Sequence, residues 1–219
     1  MYKVSDITHV IHAERRGCED AVINWLLIDS RSLCFPEETL FFALTTRKND
    51  GHRYIDELYR RGVRNFVVSR IPFEMEGYKL CNFLVVNDTL EALQTLAAHN
   101  RQQYDTPVVS ITGSNGKTTV KEWLYQLLSP DFNVCRSPRS YNSQYGVPLS
   151  LWLMDKHHDL AIIEAGISHV GEMEKLERII RPTVGVLTNI GQAHQENFGS
   201  VGEKRMEKMK LFRNCEKVV

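Results

Sequence analysis

The chain lacks most of the features that mark a specialised protein, and each lack removes a class of function. It has no surplus of charge. Its 27 Lys and Arg match its 27 Asp and Glu, so no bulk attraction draws it to nucleic acid or to an anionic membrane. Any anion site has to be local. It has no cysteine pattern either. Five cysteines, at 18, 34, 81, 135 and 215, are odd in number and show no CxxC spacing. That excludes a disulfide framework or a zinc knuckle and reads as reduced packing thiols. No apolar run reaches membrane-spanning length. The opening MYKVSDITHV lacks the basic and apolar regions of a signal peptide. A cytoplasmic protein without membrane insertion is expected. Internal repeats and low-complexity tracts are missing too.

What remains is an ordinary globular composition, 42% apolar and 25% charged over 219 residues, long enough for two small domains with a sizeable core. Strand-like and helix-like segments alternate. AVINWLLIDSR (21–31), TLFFAL (39–44), VRNFVVSR (63–70) and NFLVVND (82–88) read as strands. HRYIDELYRRG (52–62) places Tyr54, Ile55, Leu58 and Tyr59 on one helical face and ends at Gly62. Asp88 and Glu91 have capping-box spacing ahead of a helix carrying Leu90, Leu93, Leu96 and Ala97. A polar break, RQQYDTP (101–107), suggests a boundary near 104, giving domains 1–104 and 105–219.

In the second domain, PVVSIT (107–112) reads as a strand, followed by a Gly-rich turn. TTVKEWLYQLLS (118–129) then reads as a helix with Val120, Trp123, Leu124 and Leu127 as its apolar stripe. Strands at DFNVCR (131–136), DLAIIEAG (159–166) and TVGVLTNI (183–190), with a helix around 169–180, predict a parallel α/β sheet covered on both faces. The terminal NCEKVV starts a further strand, so an incomplete domain is expected.

The Gly-rich turn is SITGSNGKTT (110–119). It misses the strict phosphate-loop pattern, since Ile111 stands where the first Gly belongs. Its context is nevertheless that of a phosphate loop: strand, turn, helix. Gly113 and Gly116 permit backbone conformations other residues avoid. Backbone amides of Gly113, Ser114, Asn115, Gly116, Lys117, Thr118 and Thr119, with the helix N-terminus, favour an anion. Lys117 can reach a terminal phosphate, and Thr118 can offer its hydroxyl to Mg²⁺. The alternative is a tight turn with a solvated lysine.

TGSNGKTT resembles the ATP loop of the Mur ligases, a loop that family shares with folylpolyglutamate synthetase. Other stretches agree in order and spacing: IDSRSLCFPEETLFFAL (28–44), NDGHRYIDELYRRGV (49–63), SYNSQYGVPLSL (140–151), IIEAGISHVGEME (162–174), TNIGQAHQENFGS (188–200) and EKMKLF (207–212). DSR, FFAL, DGH, NxxxGVPLSL and TNIGQAH are nearest to the members that add D-Ala-D-Ala to UDP-N-acetylmuramoyl-tripeptide. The match extends to the version fused ahead of an alanine racemase, although no racemase segment occurs in these residues.

The resemblance implies a small α/β domain for the UDP end of the substrate, followed by a P-loop-type domain that binds ATP and Mg²⁺. Lys117 would meet the phosphates. Thr118 and Glu164 would hold one Mg²⁺ and His194 a second, and Lys208 would be a carbamylated lysine. Asp29, Ser30 and Arg31 would meet the UDP pyrophosphate, and Asn142 the muramoyl side. Each has a plainer reading: an ion pair with an arginine for Glu164, a loop histidine at 194, a solvated basic helix face at 208, and a polar strand end at 29–31. Lys204 and Lys210 compete with Lys208, because Met209 and Lys210 follow it where relatives commonly have Gly-Glu. Asp50, Gly51 and His52 are read equally as ligand contacts or as a turn and cap. A folylpolyglutamate synthetase-type ligase and a non-catalytic nucleotide-binding module are the competing functions. The segment contacting adenine and the third domain of the family are absent, so these residues alone are expected not to turn over.

Overall fold

Two five-stranded sheets and one two-stranded sheet organise the described residues. The computed structural model describes residues 2–17, 19–46, 49–71, 77–191 and 197–219. These fall into two compact units that divide between Leu96 and Ala97, ahead of the polar break that suggests residue 104. The helix α3, Thr89–Gln102, runs past that division. Its last turns bind into the second unit: Asn100 Nδ2 donates to Leu151 O (3.0 Å) and Arg101 Nε to Ile180 O (3.0 Å).

The first unit opens with β1 (Tyr2–Lys3), α1 (Val4–Val10) and β2 (Glu14–Arg16). The apolar run 21–31 is not one strand. It splits at Asn24 into β3 (Val22–Ile23), paired antiparallel with β1, and β4 (Trp25–Leu27), paired parallel with β5 (Thr39–Phe42). Two different partners pull the run apart. The remaining elements are α2 (Ile55–Arg60), β6 (Asn65–Val68) and β7 (Asn82–Val85). The main sheet has the order β2-β7-β6-β5-β4, parallel except at β2. Phe41, Phe66 and Phe83 lie in cross-strand register, with Phe66 and Phe83 stacked at 5.3 Å. Their buried rings, with Ile55 and Leu58 of α2, form the core. Such facing aromatic pairs fix strand register.

The second unit contains β8 (Val108–Thr112), α4 (Lys117–Leu128), β9 (Val134–Arg136), α5 (Gly146–Trp152), β10 (Leu160–Glu164), α6 (Glu172–Ile180), β11 (Val184–Leu187), α7 (Val201–Met209) and β12 (Lys217–Val218). All five strands are parallel, in the order β12-β11-β8-β10-β9. β8 stands where the chain reverses direction across the sheet, the place where parallel α/β sheets gather ligands at strand C-termini. β8 and β10 are buried almost throughout, as expected of strands covered on both faces. Val147, Leu151, Ile163, Met173, Leu176 and Leu211 anchor the core.

One expectation for α4 fails. Trp123 and Leu127 are 62% and 73% exposed, whereas Lys121 is fully buried. The helix faces the sheet with a polar stripe offset from the apolar one. The reason lies in what that stripe meets, the carboxylate that ends β10.

Candidate active site

The loop after β8 is shaped by its two glycines. Gly113 and Gly116 have φ of 148° and 80°, in the region that side chains disfavour. At Gly113 a Cβ would also collide with Thr188 Oγ1. Lys117 folds back, its Nζ donating to Gly113 O (3.0 Å) and Ser114 O (3.5 Å). Burial lowers its pKa and nearby Glu164 opposes that shift.

The segment after β11 bolts onto this loop. Ser114 N donates to Asn189 O (2.9 Å) and Asn115 N to Asn189 Oδ1 (3.0 Å). Gly191 N donates to Ser114 Oγ (2.8 Å), and Thr188 Oγ1 to Asn115 O (2.6 Å). The Ser114 and Asn115 amides are therefore committed within the protein, contrary to the expectation that they face an anion. The first amides of α4, from Lys117 to Thr119, have no acceptor within the helix, as in any α-helix. With the helix dipole behind them, they are the donors suited to a phosphate.

Beside the loop, Glu164 ends β10 fully buried. Three side chains, two from α4 and one from the loop before α5, converge on its carboxylate. Thr118 Oγ1 lies 3.0 Å from both Oε1 and Oε2, and Asn142 Nδ2 donates to Oε1 at 2.8 Å. Lys121 Nζ lies 3.6 Å from Oε2. Glu164 is thus ion-paired, but with a lysine from α4 and not with an arginine. Ser140 Oγ lies 3.2 Å from Thr118 Oγ1. Of this cluster, sequence reasoning singles out Thr118, Asn142 and Glu164 and misses Lys121 and Ser140. The available signal was spacing: Lys121 stands four residues after Lys117, one helical turn along the same face. Asn115 and Thr119 are exposed and carry no such side-chain contact to Glu164.

Helix α7 brings two more ammonium groups to the loop. Glu207 caps α6, its Oε1 accepting from Gly171 N (2.8 Å) and Met173 N (3.2 Å), which fixes the rotation of α7. Lys204 and Lys208, one turn apart, then face the loops. Lys208 Nζ donates to Gly113 O at 3.1 Å, and Lys204 Nζ to Gly191 O. Burial, with Lys117 and Lys204 close by, pushes Lys208 down to about 8. Lys210 instead pairs with Glu207 Oε2 at 2.6 Å. His194 lies outside the described residues. Among those residues, no group of three or more His, Cys, Asp and Glu could hold a metal ion.

In the first unit, Asp29 caps a 3₁₀ turn over Ser30–Ser32 and pairs with Arg31, whose Nη2 lies 2.6 Å from Oδ2. Arg31 is 87% exposed. Ser30 is buried, and its carbonyl accepts from Arg61 Nη1 at 2.7 Å. Asp50 is a turn and cap: its Oδ1 accepts from His52 N (3.0 Å) and faces His52 Nδ1 (2.7 Å), and its Oδ2 pairs with Arg70. Burial works against the Asp50 anion, yet Arg70 and His52 hold its carboxyl well below the usual range. Ser69 N donates to His52 Nε2 (3.1 Å), tying the turn to the end of β6.

Residues 111–219 match the Mur ligase middle domain. The chain belongs to the Mur ligase family. Over 86% of its length this Mur ligase chain is 33% identical to the UDP-N-acetylmuramoyl-tripeptide–D-alanyl-D-alanine ligase of Bacillus subtilis, covering 41% of that protein. It superposes on MurF from Acinetobacter baumannii with a TM-score of 0.88 at 28% identity, covering 98% of this chain and 46% of that one. It also superposes on the MurF ligase of Thermotoga maritima in complex with ADP, with a TM-score of 0.76 at 30% identity, covering 91% and 45%. The chain spans less than half the length of these relatives. Among the described residues, no helix is long and apolar enough to cross a membrane.

Proposed function

We propose that this chain supplies the substrate-holding and ATP-binding parts of a ligase that joins D-Ala-D-Ala to UDP-N-acetylmuramoyl-tripeptide. The observation that carries this reading is the convergence of Thr118, Asn142 and Lys121 on the buried Glu164 carboxylate, beside the amides of α4. In this reading the second unit binds ATP and the first binds the UDP end of the substrate, through Ser30 and Arg31, with Asp29 orienting Arg31.

The site suits Mg²⁺. Its donors are a carboxylate and a hydroxyl, hard oxygens alone, and Mg²⁺ takes one or two protein ligands while keeping waters. Thr118 and Glu164 would hold it, and it would neutralise charge on the phosphates. Lys117 Nζ is free to exchange Gly113 O for a β- or γ-phosphate oxygen, and the α4 amides meet the remaining oxygens. The chemical difficulty is contact between two anions, so positioning and concentrated positive charge carry the rate. The tripeptide carboxylate oxygen attacks the γ-phosphorus and ADP leaves, giving an acyl phosphate. The amine of D-Ala-D-Ala then attacks the acyl carbon, phosphate departs with its bonding pair, and the amine nitrogen loses a proton. Asn142 would orient the muramoyl side.

Lys208 is the carbamylation site in this reading. Its lowered pKa leaves more neutral amine to add to CO₂ with release of a proton, and the product would be an anionic oxygen donor beside Gly113. His194 completes the proposed set as the ligand of a second Mg²⁺. The test is phosphate release from ATP by the longest natural protein containing this chain. Release should require both UDP-N-acetylmuramoyl-tripeptide and D-Ala-D-Ala. Stimulation by folate and glutamate instead would refute the reading.

A further inference from the structure

Helix α4 carries a polar ladder of which the proposed chemistry uses only the first rung, Thr118. Thr118, Lys121, Glu122 and Tyr125 follow at spacings of three, one and three residues, which places them on one face. From the surface inward the charges alternate. The Arg136 guanidinium lies 3.9 Å from the centroid of the Tyr125 ring and pairs with Glu122. Glu122 Oε1 lies 3.2 Å from Lys121 Nζ, and Lys121 Nζ lies 3.6 Å from Glu164 Oε2. Two cations and two carboxylates thus form a chain with no net charge, ending at the buried carboxylate.

Lys121 is the hinge pin of this chain. Besides its two carboxylate neighbours, its Nζ donates to Ser137 O at 2.8 Å and to Arg139 O. Those carbonyls begin the segment that delivers Ser140 to Thr118 and Asn142 to Glu164. Ser137 Oγ in turn accepts from Glu164 N at 3.1 Å. One fully buried ammonium therefore fixes the carboxylate and the loop that faces it.

We infer that Lys121 is a positioning residue, which holds Glu164 and the 137–142 segment in the arrangement that receives Mg²⁺ arriving with a nucleotide. The inference rests on the reading of Glu164 as a metal ligand. A lysine this close could also repel the ion, but Glu122 offsets its charge. Its three donors go to two carbonyls and the carboxylates, so its main effect is to fix geometry. Loss of such a partner behind a metal ligand costs about 10- to 100-fold in metal affinity.

The test titrates ADP into the longest natural protein containing this chain by calorimetry, with and without Mg²⁺, for the wild type, Lys121→Met and Glu164→Gln. The quantity read is the factor by which Mg²⁺ tightens ADP binding. Lys121→Met should leave metal-free ADP binding unchanged, because the α4 amides and Lys117 remain. It should cut the Mg²⁺ factor by about tenfold. Circular dichroism checks the fold. If the methionine chain does not fold, Lys121→Gln, which keeps a donor for Ser137 O, is read in the same way. A Mg²⁺ factor that stays the same or rises in the Lys121 variant, while Glu164→Gln abolishes it, overturns the role of Lys121 alone. A wild type with no Mg²⁺ factor overturns the reading of Glu164, and the inference with it.

Discussion

Two ion pairs in this chain illustrate opposite uses of charge. In the first unit, Asp29 and Arg31 stand two residues apart and meet at the surface, with Arg31 87% exposed. In the second unit, Lys121 and Glu164 come from a helix and a strand and meet with both side chains fully buried. The exposed pair is local, screened and replaceable by water. The buried pair has lost its water, so each partner depends on the other and on the hydrogen bonds around them. The first arrangement leaves an arginine available to exchange one anion for another. The second holds a carboxylate in place, in the proposed reading for a cation.

Removing one partner of the buried pair should have the largest effect. Lys121→Ala strands the Glu164 carboxylate and should cost about 3–5 kcal/mol in urea unfolding, and a smaller loss would mean the pair is less isolated than its burial suggests. Gly113→Ala comes next. Its Cβ has no room beside Thr188, and crowding of this kind costs about 1–3 kcal/mol. Thr188→Ala in the same background should restore part of the loss.

A third test uses pH. Lys208 sits at about 8 in the folded chain against an ordinary 10.5. The unfolded chain therefore binds more protons between those values, and stability rises with pH there. The penalty for burying this cation is fully present below about pH 8 and fades toward 10.5. Between about pH 7 and 9.5, in CO₂-free buffer, the wild type should gain roughly 2 kcal/mol relative to Lys208→Met. A parallel pH dependence in both would contradict the placement of Lys208. The smallest effect belongs to the exposed pair: Arg31→Ala should leave the unfolding midpoint unchanged, while weakening binding of UDP-N-acetylmuramoyl-tripeptide.

The same contrast explains what could be read in advance. The phosphate loop was legible because its glycines, lysine and threonine are contiguous and sit between a β-branched strand and a helix. Glu164 was legible as the polar end of an apolar strand. Lys121 was not. Val120, Trp123, Leu124 and Leu127 repeat at helical spacing, but so do Thr118, Lys121, Glu122 and Tyr125. Apolar periodicity selects the first set, whereas the unmet need of a buried carboxylate selects the second. The ties from Asn189 to the Ser114 and Asn115 amides were invisible for a related reason. They join segments more than seventy residues apart, and nothing local in either marks the other. The split of 21–31 between two sheets likewise depends on partners elsewhere in the chain.

The central claim is that Glu164 and Thr118 receive a divalent ion only in company with a nucleotide. Electron paramagnetic resonance of Mn²⁺ with the longest natural protein containing this chain tests it directly. The wild type should take up Mn²⁺ when ADP is present, and Glu164→Gln, which keeps the shape of the side chain, should lose that uptake by about tenfold or more. Equal uptake by the two proteins would place the ion elsewhere and contradict the account.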